Sequence, residues 1–184
     1  VFNNELIAGG TLSVVDGAVV KNIARWNGSA WQTLGTGTNL TVTTLAIYEN
    51  ELFAGGWFTT AGGLITNYAA RWNGFNWRPL GSGLNNDVYG LKEINGELIA
   101  GGAISAANGT VANRIARWNG ANWQALGTGI QGVSNVAVRA LAIYNGALIA
   151  GGNFTTADGV PANRIAQWDG ASWQERVVDG GPGP

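Results

Sequence analysis

Four residues carry the side chains best suited to holding a ligand: Trp57, Tyr68, Phe75 and Arg78. Each breaks a pattern that the rest of the chain repeats. Trp57 stands where other copies of its motif have Thr11, Ala103 and Asn153, and Phe75 where they have Ser29, Ala121 and Ala171. Tyr68 replaces Asn22, Arg114 and Arg164, and Arg78 replaces glutamine. Positions that recur build a fold, whereas positions that depart from it are free to specify a function. Exposed aromatic rings stack on sugars or anchor a protein partner. Trp57 and Tyr68 are equidistant from Gly62-Gly63, so a two-residue hairpin places them opposite each other. Simple local packing is the competing reading of all four.

Catalytic chemistry finds little support. Histidine and cysteine are both absent, which removes the commonest general base, the commonest metal ligand and any thiolate nucleophile. Ser29, Ser82 and Ser172 sit in or beside turns with no imidazole to activate them. Asp16, Asp158 and Asp169 occupy turn positions that Asn or Gly fills elsewhere, which reads as tolerance of positive φ. No D-x-D cluster suggests calcium. The glycine doublets lack the following helix that a phosphate loop requires. The expectation is no catalytic residue, no metal and no cofactor.

Composition narrows the partners. The 184 residues carry a formal net charge of −1, and only Lys21 and Lys92 are lysines. That argues against an electrostatic grip on nucleic acid or a polybasic membrane surface. No apolar run approaches the ~20 residues of a membrane-spanning helix, so no membrane insertion is expected. Thirty glycines and nine tryptophans against 11% charged residues describe a turn-rich, aromatic-filled β protein.

The elements that position these residues repeat about every 46 residues. Ala8-Gly9-Gly10 returns as Ala54-Gly55-Gly56, Ala100-Gly101-Gly102 and Ala150-Gly151-Gly152. Arg25-Trp26-Asn27-Gly28 returns at Arg71, Arg117 and, more loosely, Gln167. Each copy has three turn dipeptides, exemplified by Asn95-Gly96, Asn108-Gly109 and Asn119-Gly120, which suit type I′ hairpins. Three such turns join four strands into an antiparallel meander. A two-residue Asn73-Gly74 turn would set Trp72 against Phe75 and leave Trp72 and Trp77 as diagonal neighbours on one face. Trp26/Trp31, Trp118/Trp123 and Trp168/Trp173 follow suit, as packing elements between adjacent units. Four extra residues around Gln131-Gly132-Val133-Ser134 imply a surface loop before the last copy.

These motifs (L-x-A-G-G-x-F, then N-R-I-A-x-W followed by Asn or Asp, Gly and a second Trp) resemble kelch-like β-propeller repeats. They are more closely similar to the Rax2-type repeats of secreted and surface proteins. The resemblance implies an all-β propeller of four-stranded antiparallel blades over residues 1–178. The blades fall at about 1–40, 41–86, 87–134 and 135–178, with a Gly/Pro-rich tail at 179–184. The last copy ends in Glu175-Arg176 where others have Leu-Gly, and the first keeps only Val1-Phe2 of its first strand. One strand short, the set closes as a strained four-blade ring, as part of a larger ring, or as two chains completing eight blades; supplementation is favoured. Methionine is absent and the chain opens inside a repeat, so a processed product or a segment of something longer is expected.

The function expected is a non-catalytic interaction or structural module of an extracellular or cell-surface protein, the periplasm being the alternative location. Its partner is another protein or its own second copy. A carbohydrate-binding propeller, with glycans as ligand, is the alternative, and a propeller enzyme such as a glycosidase ranks last.

Overall fold

A computed structural model describes residues 1–176, so Val177, Val178 and the expected tail at 179–184 lie outside the described residues. The chain is all-β, built from four repeated antiparallel units that match propeller blades. The second unit comprises Val42–Tyr48, Glu51–Gly56, Ala69–Trp72 and Trp77–Pro79, paired in chain order. The third (Val88–Ile94, Glu97–Gly102, Ile115–Trp118, Trp123–Ala125) and fourth (Ala137–Tyr144, Ala147–Asn153, Ile165–Trp168, Trp173–Glu175) repeat it. The first has three strands, Leu6–Gly9, Ile23–Trp26 and Trp31–Thr33. Phe2, bridged to Glu5, is what remains there of a first strand.

Two of the three turns form as their dipeptides dictate. Asn95 and Gly96 have φ 52° and 76°, and Asp158 and Gly159 have 49° and 77°, both residues left-handed as a type I′ turn needs. The third turn differs. Trp72 pairs directly with Trp77, not with Phe75, across a four-residue loop. Asn73 is the reason: its Oδ1 accepts the N–H groups of Phe75 and Asn76 at 3.0 and 2.9 Å. That side-chain bridge holds a wider loop in which only Gly74 takes positive φ. Trp72 and Trp77 still share a face, with ring centroids 5.5 Å apart and planes at 57°. The other three units repeat the pair at 5.5–5.7 Å.

The connection between second and third strands ends in a separate two-stranded ribbon, such as Thr60–Ala61 with Leu64–Ile65. The segment entering each unit adds an edge to that ribbon: Thr38 bridges Ala61, Leu84 bridges Ala107, and Ile130–Gln131 pair with Thr156–Ala157. The sheets of the second and third units are buried on both faces. One face of the second unit (Leu52, Ala54, Ala70, Trp72, Trp77) packs on Ile23 and Leu34 of the first. Its other face (Tyr48, Phe53, Ala69, Leu80) packs on Leu98, Ala100, Trp118 and Trp123 of the third. A third cluster joins the third unit to the fourth. These account for the nearly continuous apolar runs, since burial on both sides removes the polar alternation of a one-sided sheet.

Among the described residues no core cluster joins the fourth unit to the first. The described residues thus join in three consecutive pairs, first to second, second to third and third to fourth.

Candidate functional site

Phe75 and Arg78 come together, while Trp57 and Tyr68 lie elsewhere. Phe75, at the loop tip, is 82% exposed. Together with Arg78 it borders a cleft of about 440 Å³ that also touches Gly35, Thr36, Gly62 and Trp77. Tyr68 lines a different recess, with Asn67 and Ser82. Trp57 is 46% exposed and belongs to neither.

Trp57 and Tyr68 do not form the expected cross-strand pair. Tyr68 accepts from Gly56 N–H and donates to the Phe58 carbonyl, bonding the two residues on either side of Trp57. Trp57 bulges out of the ladder and gives its own N–H to the carbonyl of Thr41, the residue before the neighbouring strand. Asn67 and Tyr68 both adopt left-handed φ, 46° and 69°, which displaces the strand by one register position. Asn22, Arg114 and Arg164 occupy the same left-handed position in the other units, at φ 63–67°. Tyr68 and the two arginines are therefore backbone-strained residues at a bulge, not members of a regular strand.

The cleft beside Phe75 has a local cause. In the fourth unit the ribbon tip carries Asp158, whose carboxylate reaches back to the third unit's Gly-Thr-Gly loop. Oδ1 accepts from Thr128 N–H at 2.6 Å, the Thr128 hydroxyl at 3.0 Å and Gly129 N–H at 3.2 Å. Oδ2 accepts from Trp173 N–H at 3.0 Å. In the third unit Asn108 does the same work, accepting from the N–H and hydroxyl of Ser82 at 2.9 and 2.8 Å. In the second unit this position is Gly62. The Thr36 N–H and hydroxyl and the Trp77 N–H therefore have no capping side chain, and the cleft opens there.

Read as φ-tolerant turn residues alone, Asp158 and Asn108 conceal this role. The signal is nevertheless present: a hydroxyl residue inside each Gly-x-Gly (Thr36, Ser82, Thr128) recurs 26–30 residues before an acid or amide, except at Gly62. A second set also repeats unremarked. Arg25, Arg71 and Arg117 pair with Glu5, Glu51 and Glu97 at 3.4, 3.0 and 3.2 Å. The fourth unit has Ala147 and Gln167 instead.

The two ends of the series present unpartnered sheet faces. On the first unit, Leu6 is 50% exposed, whereas its counterparts Leu52, Leu98 and Leu148 are buried. Trp26 and Trp31 are half-buried there, although Trp77, Trp123 and Trp173 are enclosed. On the fourth unit, Tyr144 is exposed, and Arg176 lies 4.3 Å over its ring. Arg176 occupies the position of Leu34, Leu80 and Leu126. Gly151 retains open space where Gly9, Gly55 and Gly101 are filled by a valine of the following unit.

No family model and no curated protein matches the chain.

Proposed function

We propose that this chain is a non-catalytic β-propeller module of the kelch or Rax2-type class, acting outside the cell as an interaction or structural element. Its partner is a second copy, joined through the first unit's outward face. One observation carries the reading. That face bears Leu6, Trp26 and Trp31, the same set that every other unit buries against its predecessor. The second indole of the pair is half-buried on the first unit and enclosed on the three others, which makes that face a surface shaped for the same contact. The fourth unit's outward face, with its open Gly151 and exposed Tyr144, is the complement a head-to-tail copy would offer. Two arcs of four units then share eight blades and leave no open face.

Sedimentation velocity tests this. The expected result is a dimer that Trp31→Asp converts to monomer without loss of β signal. A wild-type chain that stays monomeric across the accessible concentration range overturns it.

The second reading, a ligand-binding propeller with glycans as ligand, is favoured by the meeting of Phe75 and Arg78 in one cleft. Binding lost in Phe75→Ala, which installs the residue of the third and fourth units, would support it.

A further inference from the structure

We infer that the cleft beside Gly62 is a binding site for a carboxylate carried on a pyranose ring, a uronate-type sugar. The inference rests on the ligand-binding reading, whose cleft it uses, and is independent of the assembly.

The protein itself displays the ligand chemistry. At the fourth unit, the carboxylate of Asp158 is held by two main-chain N–H groups and a hydroxyl of the preceding loop, and by the N–H of Trp173. At the second unit Thr36 and Trp77 stand in the places of Thr128 and Trp173, while the Gly37 N–H, counterpart of the Gly129 donor, is given to the Leu34 carbonyl. Gly62 removes the internal acid, and the vacated space belongs to a cleft of about 440 Å³. That volume lies within the range of small-molecule sites. Converging N–H and hydroxyl donors satisfy a carboxylate better than any neutral group, because bonds to an ionised acceptor are about twice as strong.

Two departures from the repeat concentrate at the same place. Arg78, exposed on the strand beside Trp77, adds a full positive charge where the other units have Gln32, Gln124 and Gln174. Phe75, 82% exposed, offers a flat apolar face where they have serine or alanine. A saccharide C–H face stacks on such a ring while its acid enters the cradle. Gly62, Phe75 and Arg78 are three departures in one unit, and all three line one cleft.

The test titrates D-glucuronate into the whole chain, following the amide resonances of Thr36 and Trp77, with D-glucose and acetyl-aspartate amide as comparators. Glucuronate is expected to shift both amides saturably, and to bind roughly tenfold more tightly than glucose, as expected for loss of a charge-assisted contact. Arg78→Gln, the residue of the other units, should weaken binding several-fold. Gly62→Asp should abolish it by restoring the internal acid. A Cβ at 62 approaches Trp77 Cβ to 2.9 Å, so that variant is first checked for native melting, and Arg78→Gln carries the test should it fail to fold. Unmoved Thr36 and Trp77 amides, or tighter binding of acetyl-aspartate amide than of glucuronate, overturn the inference. Equal binding of glucose overturns the carboxylate assignment while leaving the ligand-binding reading intact.

Discussion

The indole N–H of Trp77 donates to the carbonyl of Leu34 at 2.9 Å, crossing from the second unit to the first. Trp173 repeats the bond to Leu126 at 3.2 Å, crossing from the fourth unit to the third. The second tryptophan of the pair is therefore more than apolar filling. In the second and fourth units it satisfies a main-chain carbonyl of the unit before it, whereas the Trp123 indole N–H is buried without a partner. Trp31 has the same indole, half-buried on the first unit.

Replacement of Trp77 by phenylalanine keeps most of the apolar contact and leaves the Leu34 carbonyl with only the Gly37 N–H, at 3.3 Å. A cost of about 0.5–1.5 kcal/mol is expected, that of one lost hydrogen bond. Trp31→Phe in the monomeric chain should cost under about 0.5 kcal/mol, as for a surface change. Urea midpoints of the two variants check the contrast, and equal losses would show that the inter-unit bond contributes nothing.

The Ala-Gly-Gly motif predicts a second asymmetry. A Cβ at Gly101 would lie 2.6 Å from Val138 Cγ1, whereas one at Gly151 would meet nothing nearer than 3.9 Å. Gly101→Ala should destabilise by about 1–3 kcal/mol through overpacking. Gly151→Ala should be neutral or stabilising by up to ~1 kcal/mol, because it restricts the unfolded chain without a clash. Thermal melting of both variants gives the comparison directly. Destabilisation by Gly151→Ala in a dimer alone would additionally mark that face as occupied.

Asp158 ties the fourth unit to the third through three hydrogen bonds and holds the Trp173 N–H of its own unit through a fourth. Asp158→Ala should cost about 1–3 kcal/mol by leaving those donors unpaired. Faster amide exchange at Thr128 and Trp173 should accompany the loss. Asp158→Asn should lose less, since Asn108 already serves one unit earlier. Unchanged exchange at both amides in Asp158→Ala would dismiss the cap.

Asp169 supplies a local pH response. The Ser172 N–H, then the Ala171 N–H, donates to its carboxylate and holds its pKa below the usual value. A depressed folded pKa stabilises the turn above the unfolded-state pKa, and that contribution is lost as pH falls through the folded value. The Asp169-to-Ser172 turn should therefore loosen at acid pH, while the Asn27, Asn73 and Asn119 turns should not. Carboxyl carbon shifts of Asp169 and amide shifts of Ser172 report it. An ordinary titration midpoint for Asp169 would refute the account.

The repeat period, the strand-rich units, the type I′ turns at Asn95-Gly96 and Asp158-Gly159 and the same-face tryptophan pairs were legible from residue types and spacing. Each depends on short-range rules: backbone φ tolerance in a dipeptide, or the alternation of side chains along a strand. The third turn escaped because Asn73 spends its side chain on two N–H groups, a choice that the Asn-Gly pair shares with a true two-residue turn until the geometry is seen. Trp57 and Tyr68 separated because consecutive left-handed residues at Asn67 and Tyr68 break the symmetry that counting from Gly62-Gly63 assumes. Only the tertiary structure brought Gly62 against Thr36, Trp77, Phe75 and Arg78, since the cleft forms where two units meet. It also distinguished the three enclosed interfaces from the two open faces. Local rules act within one unit, whereas burial and an empty cradle are properties of what stands beside it.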